Sequence, residues 1–316
     1  MTLIIIKKLL LFAIKTKILM KILIIGSKGF IGSHCVEYFS KENEVWQCDI
    51  VVDYNTPNYL LLDATNANYE EIFATTNFDV CINCSGAASV PDSINHPQRD
   101  FNLNTFTVFK QLDAIRSQSP ECKYVHISSA AVYGNPITFP IKENHSLLPI
   151  SPYGRHKKMG EEIAQEFYTQ FGLNTSSLRV FSAYGPGLKK QLFWDLYHKQ
   201  KTTNNITLFG TGKETRDFIY ITDLVQAIAC IVQKADFKGE VINVANGEEL
   251  SIEKVVTIFY QLVNEKVKVN FGGEERKGDP INWVADNSKL QQLGYQQKIS
   301  IDEGLLNYVK WLKEQE

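Results

Sequence analysis

The sequence predicts an α/β fold: a parallel sheet covered by helices on both faces, with a second, smaller region capping it. The first observation is a series of apolar runs, Ile22–Ile25, Glu44–Asp49, Val80–Cys84, Tyr124–Ser128 and Thr175–Arg179, that read as buried strands. The second is helical periodicity in the segments Phe30–Ser40, Asp100–Gln118 and Pro152–Gln170 between them. Strands that are continuously apolar rather than alternating need cover on both faces, which is the signature of a parallel sheet. The third is a change of pattern after Gly185-Pro186-Gly187, where strands and helices become shorter and the loops more charged. The chain therefore divides into residues 1–19, a first domain over 20–185 and a second over 186–316, with elements of the two partly interleaved.

Composition narrows the function classes. The chain has 316 residues, 44% of them hydrophobic and 22% charged, with a net charge of −2. That is ample for a large core and ordinary for a globular protein. The balance lacks the basic footprint of a nucleic-acid binder, so no nucleic-acid partner is expected. The six cysteines lie mostly in apolar runs. Cys81 and Cys84 form a Cys-x-x-Cys pair, but on a strand an offset of three sends the side chains to opposite faces. With no second pair and no histidine cluster, no metal site is expected, and the thiols read as reduced and buried in a cytoplasmic protein. The apolar runs within residues 1–19 are too short to span a bilayer, and no small-residue cleavage site follows them. Met20 opens the first strand and is expected to be the natural start; mass spectrometry of the native N-terminus would decide this.

A glycine-rich loop, Gly26-Ser27-Lys28-Gly29-Phe30-Ile31-Gly32, joins the first strand to the first helix. Glycines there permit a tight turn, close approach of a pyrophosphate to the backbone and close helix–strand packing. The following helix start offers free N–H groups and the positive end of its dipole. Asp49 ends the next strand, where an acid accepts from ribose hydroxyls and repels a 2′-phosphate. No Arg or Lys follows in Ile50–Asp53 to favour NADP, so NAD is expected. Asp63, at the end of a third strand, is a candidate for the adenine amine. The small residues Ser85-Gly86-Ala87-Ala88 leave room for a dinucleotide across the strand ends.

Further on, Ser151-Pro152-Tyr153-Gly154-Arg155-His156-Lys157 places a tyrosine and a lysine one helical turn apart. An ammonium beside a phenol favours the phenolate, so the tyrosine is expected to have a lowered pKa and to exchange protons. Alone, such a pair is usually a lysine stem lying past a half-buried tyrosine.

Taken together, the glycine loop, Ile127-Ser128-Ser129-Ala130-Ala131-Val132-Tyr133-Gly134 and Tyr153-x-x-x-Lys157 resemble the extended short-chain dehydrogenase/reductases, in the branch of nucleotide-sugar epimerases and dehydratases. Arg179-Val180-Phe181-Ser182-Ala183-Tyr184-Gly185-Pro186, Arg216-Asp217-Phe218-Ile219-Tyr220 and Arg276-Lys277-Gly278-Asp279-Pro280 resemble that branch's substrate-side motifs. The resemblance runs from Met20 onward. It implies a Rossmann-type doubly wound sheet holding NAD and a smaller mixed α/β C-terminal lobe holding a nucleotide-diphosphate sugar. By this resemblance Tyr153 exchanges the sugar hydroxyl proton, Lys157 lowers its pKa and holds the nicotinamide ribose, and Ser129 hydrogen-bonds the reacting oxygen. Cofactor contacts are implied for Gly26, Gly29, Phe30, Ile31, Gly32, Asp49, Asp63, Ala64, Cys84, Ser85, Gly86, Asn104, Ser128, Tyr153, Lys157 and Phe181. Substrate contacts are implied for Ser129, Ser182, Arg216, Arg276, Asp279 and Trp283. A homodimer through the segments Asp100–Gln118 and Pro152–Gln170 is also implied.

The chain departs from its branch in three places. Ala130-Ala131 stand where similar 4,6-dehydratases carry Asp-Glu, which argues against dehydration. Ser182 replaces the Asn common in 4-epimerases, and the loop Gly187–Phe193 is short, with Lys189 and Lys190 available to phosphates. Trp283 aligns with a pocket wall whose bulk disfavours N-acetylated sugars. The leading expectation is an NAD-dependent nucleotide-sugar epimerase acting at C4 of an NDP-hexose through a 4-keto intermediate. The alternatives are an NAD(P)H-dependent reductase of an NDP-4-keto-6-deoxy sugar, a UDP-sugar decarboxylase and a non-catalytic NAD sensor.

Overall fold

A computed structural model describes residues 19–274, 278 and 280–315. Seven parallel strands form the central sheet: β1 (Lys21–Ile25), β2 (Glu44–Asp49), β3 (Tyr59–Leu61), β4 (Val80–Asn83), β5 (Lys123–Ser129), β6 (Thr175–Val180) and β7 (Lys238–Val244). Their spatial order is β7-β6-β5-β4-β1-β2-β3, with all six neighbouring pairs parallel. Helices α1 (Phe30–Phe39), α2 (Tyr69–Ala74), α3 (Val90–Asn95), α4 (Pro97–Phe101), α5 (Thr107–Gln118), α6 (Pro152–Phe171), α7 (Gln191–Lys199), α8 (Ile221–Lys234), α9 (Ile252–Val263), α10 (Ser288–Gln292) and α11 (Ile301–Glu314) surround it. Among the described residues no helix is long and apolar enough to cross a membrane.

The central strands β1, β4, β5 and β6 are buried on both faces, as their composition requires, whereas β2 and β3 toward one edge are only partly buried. Ile22 and Ile24 pack with α1 and α8 residues such as Cys35 and Ile228, while Leu23 and Ile25 pack with Phe73, Leu112 and Ile115 on the other face. The strand order reverses between β1 and β4, where a crevice opens at the carboxyl ends of the strands. Residues Gly26–Gly32 follow β1 there, and Cys84–Gly86 follow β4.

Helix α6 is set by local chemistry. Ser151 caps it by accepting from the Gly154 N–H at 3.1 Å, Pro152 occupies the first turn and Gly172 closes it in the left-handed conformation. The segment expected as one helix over Asp100–Gln118 is instead α4, a π turn at Asn102–Phe106 and α5. Periodicity cannot reveal the one-residue slip of a π turn, because the apolar face resumes after it.

The second region does not stay apart from the first. Short strand pairs flank Gly185 and β7, Ser182–Tyr184 with Phe218–Tyr220 and Thr215–Arg216 with Leu250–Ser251, and α8 returns the chain to place β7 at the sheet's edge. Asp217 joins these segments. It is fully buried, and its carboxylate accepts from the N–H groups of Asn246, Gly247 and Ala285 at 2.9–3.1 Å. Burial pushes its carboxyl up to about 7 against the pull of those donors.

Candidate active site

Gly26 has φ +79°, and a Cβ placed on it would lie 2.7 Å from the backbone nitrogen of Ser85. The glycine thus lets the loop after β1 touch the loop after β4 across the strand reversal. A Cβ on Gly32 would lie 2.0 Å from the Gly26 carbonyl, so α1 begins hard against the turn. The buried hydroxyl of Ser27 has no hydrogen-bond partner among the described residues. Asp49, at the end of β2, accepts from the Lys28 N–H at 2.8 Å and from the Ile50 N–H at 2.7 Å. A narrow loop, a helix start and a strand-end carboxylate fit a dinucleotide.

One expectation in this region needs correction. β3 ends at Leu61, so Asp63 lies beyond the strand; its carboxylate accepts from the N–H groups of Thr65 and Asn66 and from the Thr65 hydroxyl. Those bonds hold its pKa below the usual carboxylate value. Ala64, the next residue, is exposed in the same turn. The ribose end is also not free of cations. Lys28, from the glycine loop, reaches Asp53 at 2.6 Å and lies 5.0 Å from the Tyr59 ring centre. The stretch after Asp49 holds no basic residue, yet the fold supplies one from before it.

At the carboxyl end of β5 the candidate proton-handling residues lie close together. Ser129 accepts from the Ala131 N–H at 3.2 Å and hydrogen-bonds the Tyr153 hydroxyl. The Tyr153 backbone N–H donates to Ser93 at 3.1 Å, which ties the first turn of α6 to α3. Lys157 is 5% exposed, and its ammonium donates to the Ile127 carbonyl at 2.8 Å. Burial lowers its pKa to about 8. The tyrosine pKa is not lowered as expected. Burial pushes it up to about 12, and the hydrogen bond from Ser129 only partly opposes this. The reason is geometric: the Lys157 ammonium is held on Ile127 rather than on the phenol.

Gly86, at φ +119°, marks where several groups converge. A Cβ there would lie 2.6 Å from Asn104 Oδ1 and 3.5 Å from Lys157 Nζ. Asn104 is buried in the π turn rather than lying on a helix surface, and its Oδ1 has no partner among the described residues. His126 lies fully buried beside Lys157, with both ring nitrogens unpartnered among the described residues. Burial and the lysine charge hold its pKa well below the usual value, so the ring is neutral. Cys84 is partly exposed at the end of the β4 loop, and a hydrogen bond to Cys84 together with burial raises the pKa of Cys35 on α1. Phe30 and Ile31 open α1 and pack against the core. Among the described residues no group of His, Cys, Asp or Glu forms a metal site.

Ser128 and Arg179 fall elsewhere. Side chains alternate along a strand, so Ser128 points opposite to Ser129 and donates to Glu161 of α6. Arg179, expected on the substrate side, is 3% exposed and grips the Glu161 carboxylate through Nε and Nη2, at 2.7 Å for the latter. Its Nη1 donates to the Tyr133 hydroxyl and the Glu143 carbonyl. Glu161 went unnoticed in the sequence, although its place four residues after Lys157 puts it on the same helix face.

On the substrate side, Phe181 and Trp283 pack edge to face at 5.9 Å in a cluster that includes Tyr153. The Trp283 indole N–H donates to the Gly134 carbonyl at 3.1 Å, and the Arg216 guanidinium lies 5.6 Å from its ring centre. Arg216 also donates to the Thr215 and Ile281 carbonyls. Ser182 starts a short strand, its N–H bonded to the Asp217 carbonyl. Arg276 and Asp279 lie outside the described residues.

Comparison with known proteins gives concordant matches. The model of the NAD dependent epimerase/dehydratase family matches residues 22–245. An uncharacterised UDP-glucose epimerase, YtcB, of Bacillus subtilis (strain 168) is 30% identical over 314 residues, covering 93% of this chain and 98% of its own. The structure of a UDP-N-acetylglucosamine 4-epimerase from Methanobrevibacter ruminantium M1, in complex with UDP-N-acetylmuramic acid, superposes with a TM-score of 0.85 at 27% identity. It covers 94% of this chain and 99% of its own. The UDP-glucuronic acid 4-epimerase from Bacillus cereus, in complex with UDP-glucuronic acid and NAD, also gives 0.85, at 25% identity over 94% and 100% of the two chains.

Proposed function

The chain belongs to the NAD dependent epimerase/dehydratase family and takes NAD as its cofactor, and on that premise we propose that it epimerises a UDP-hexose at C4. The observation that carries the reading is the convergence of Ser129, Tyr153 and Lys157 at the end of β5, beside the strand reversal. The chemistry the cofactor supplies is acceptance of a hydride from the sugar carbon and its return. Everything else falls to the chain. Tyr153 takes the proton of the C4 hydroxyl as the 4-keto sugar forms and gives it back after the sugar has turned over. Ser129 has one hydroxyl hydrogen, given to the tyrosine in the free site and turned to the sugar oxygen once substrate is bound. Lys157 leaves the Ile127 carbonyl on cofactor loading, and its charge then draws the tyrosine pKa down from about 12. Gly26, Gly29, Gly32 and Asp49 hold the dinucleotide, while Arg216 and Trp283 hold the nucleotide sugar, with Arg276 and Asp279 assigned there by motif alone.

Ala130 and Ala131, both buried, offer no second acid/base pair for eliminating water, which separates this reading from dehydration. A homodimer through the π turn, α5 and α6 forms part of the proposal, since Phe106, Phe109 and Phe171 leave 51%, 42% and 50% of their surface exposed on these elements. Size-exclusion chromatography with light scattering tests it, and a strict monomer refutes it. Proton NMR tests the activity: protein is mixed with UDP-glucose, UDP-galactose, UDP-glucuronic acid or 4-keto-6-deoxy nucleotide sugars. Inversion at C4 without added cofactor is the expected result. Reduction of a keto sugar only when NADH or NADPH is added would replace the proposal with the reductase reading.

A further inference from the structure

Asp100 lies near the end of α4, one turn before Asn104 of the π turn, and only 1% of its surface is exposed. Its Oδ2 lies 2.6 Å from His156 Nδ1, and its Oδ1 accepts from Asn104 Nδ2 at 3.1 Å. A carboxylate only accepts, so a hydrogen bond to it determines which way a neighbouring amide points. With Nδ2 turned toward Asp100, the other end of the Asn104 amide must face away. That end is the Oδ1 that converges with Lys157 Nζ above Gly86 and has no partner among the described residues.

The second partner leads to the same place. His156 precedes Lys157 on α6, and its carbonyl accepts from the Thr105 hydroxyl at 3.0 Å. Two bonds thus fasten α4 and the π turn to the helical turn that carries the lysine. Gly160 permits the contact, since a Cβ there would lie 2.9 Å from the Asn104 carbonyl and from His126 Nε2. The charged and titratable groups facing Lys157 come from several elements: Asp100 on α4, Glu161 on α6, the Cys84 thiol after β4 and Lys190 just before α7, with neutral His126 on β5.

We infer that Asp100 is a positioning residue: it aims the Asn104 carbonyl oxygen at Lys157 and clasps His156, so that lysine and tyrosine are held for proton transfer. The inference rests on the epimerase reading above. Without the carboxylate the Asn104 amide can turn over and present its NH2 group to the lysine ammonium, an unfavourable contact in a buried site.

The test is Asp100→Asn, which keeps shape and removes the obligatory acceptor. It is run alongside the exchange D100N/N104D, in which the amide placed at position 100 donates and the carboxylate placed at position 104 again presents an oxygen to Lys157. Steady-state kinetics with the UDP-sugar, NADH affinity of cofactor-stripped protein by fluorescence, and thermal melting are measured for each. D100N is expected to lose about 10- to 100-fold in kcat, with KM within about twofold of wild type, and to bind NADH about fivefold more weakly. The exchange is expected to recover kcat to within about fivefold of wild type, as coupled neighbours do. D100N with wild-type kcat and NADH affinity overturns the inference, as does an exchange variant no better than D100N. A residue that only holds helices together would instead lower the melting temperature in both variants alike. If wild-type protein binds NADH but epimerises no sugar, the functional reading fails, and the NADH affinities alone then decide the role of Asp100.

Discussion

One turn of α6 separates two buried groups with opposite fates. Glu161 and its partner Arg179 are fully engaged, with the carboxylate receiving the guanidinium and Ser128, and the guanidinium reaching on to Tyr133 and Glu143. Lys157, four residues earlier, donates to a single backbone carbonyl, and around it Asn104 Oδ1 and both His126 nitrogens have no partner among the described residues. Buried polar groups are almost always satisfied, because leaving one open costs on the order of 1–3 kcal/mol. The same helix therefore carries a closed network that fixes its place in the fold and, one turn away, an open, sparsely bonded one around Lys157. On the proposed reading, the first builds the scaffold and the second serves the chemistry.

The comparison can be broken from either side. Replacing Tyr153 by Phe should lower kcat by roughly 10²- to 10⁴-fold while leaving the melting temperature within a few degrees, because the residue belongs to the open side. C4 inversion followed by NMR reads the first, and calorimetry the second. Equal activity in wild type and variant would remove Tyr153 from the mechanism. Glu161→Gln should do the reverse to stability, with a loss of about 3–5 kcal/mol in denaturant unfolding, since it leaves the Arg179 charge buried and unpaired. An unchanged unfolding midpoint would show that the pair is dispensable.

Lys157→Met sharpens the contrast by separating function from stability. The folded-state pKa of about 8 lies below the ordinary lysine value of 10.5, so the unfolded chain binds more protons between the two. Wild-type stability therefore rises with pH across that window, and the penalty for burying the charge is fully present below about pH 8. The methionine variant should be more stable at pH 7 by about 1–2 kcal/mol, lose that advantage as pH rises toward the ordinary lysine value, and be inactive throughout. A variant less stable at pH 7 would mean that the Ile127 hydrogen bond outweighs desolvation. The smallest effect is expected at the ribose end. Asp53→Asn frees Lys28 from its 2.6 Å partner and should tighten NADP binding by a few-fold without altering NAD affinity, as read by equilibrium titration. No gain for NADP would confine cofactor choice to Asp49.

The open side is more legible in sequence than the closed one. The glycine loop, Asp49, Ser129 and the Tyr153/Lys157 spacing are local patterns, each tied to a strand end or a helical turn. The limits of β2 match those read from its residues, although the strand is only partly buried, because Asp49 closes its short run Val45-Trp46-Gln47-Cys48. What sequence cannot show is pairing across distance. Glu161 meets Arg179 across 18 residues, and Lys28 meets Asp53 across 25. Asp100 meets His156 across 56. Nor can spacing show where Lys157 directs its ammonium, so the tyrosine pKa moves opposite to the expected direction. Arg216 is singled out by its motif and Trp283 by alignment, and the contact between them emerges only in the fold.

The late arrival of β7 has a consequence for how this protein is made. The strand that covers the outer edge of β6 spans Lys238–Val244, and α8 over Ile221–Lys234 supplies much of the core beneath β1. A ribosome that has released only the residues up to 185 has therefore exposed a sheet with a bare edge at β6 and an uncovered apolar face. Such an edge is a template for wrong pairing. The sheet is complete only once the residues up to Val244 have emerged, so a chain stalled near residue 185 would present that bare edge to wrong pairing.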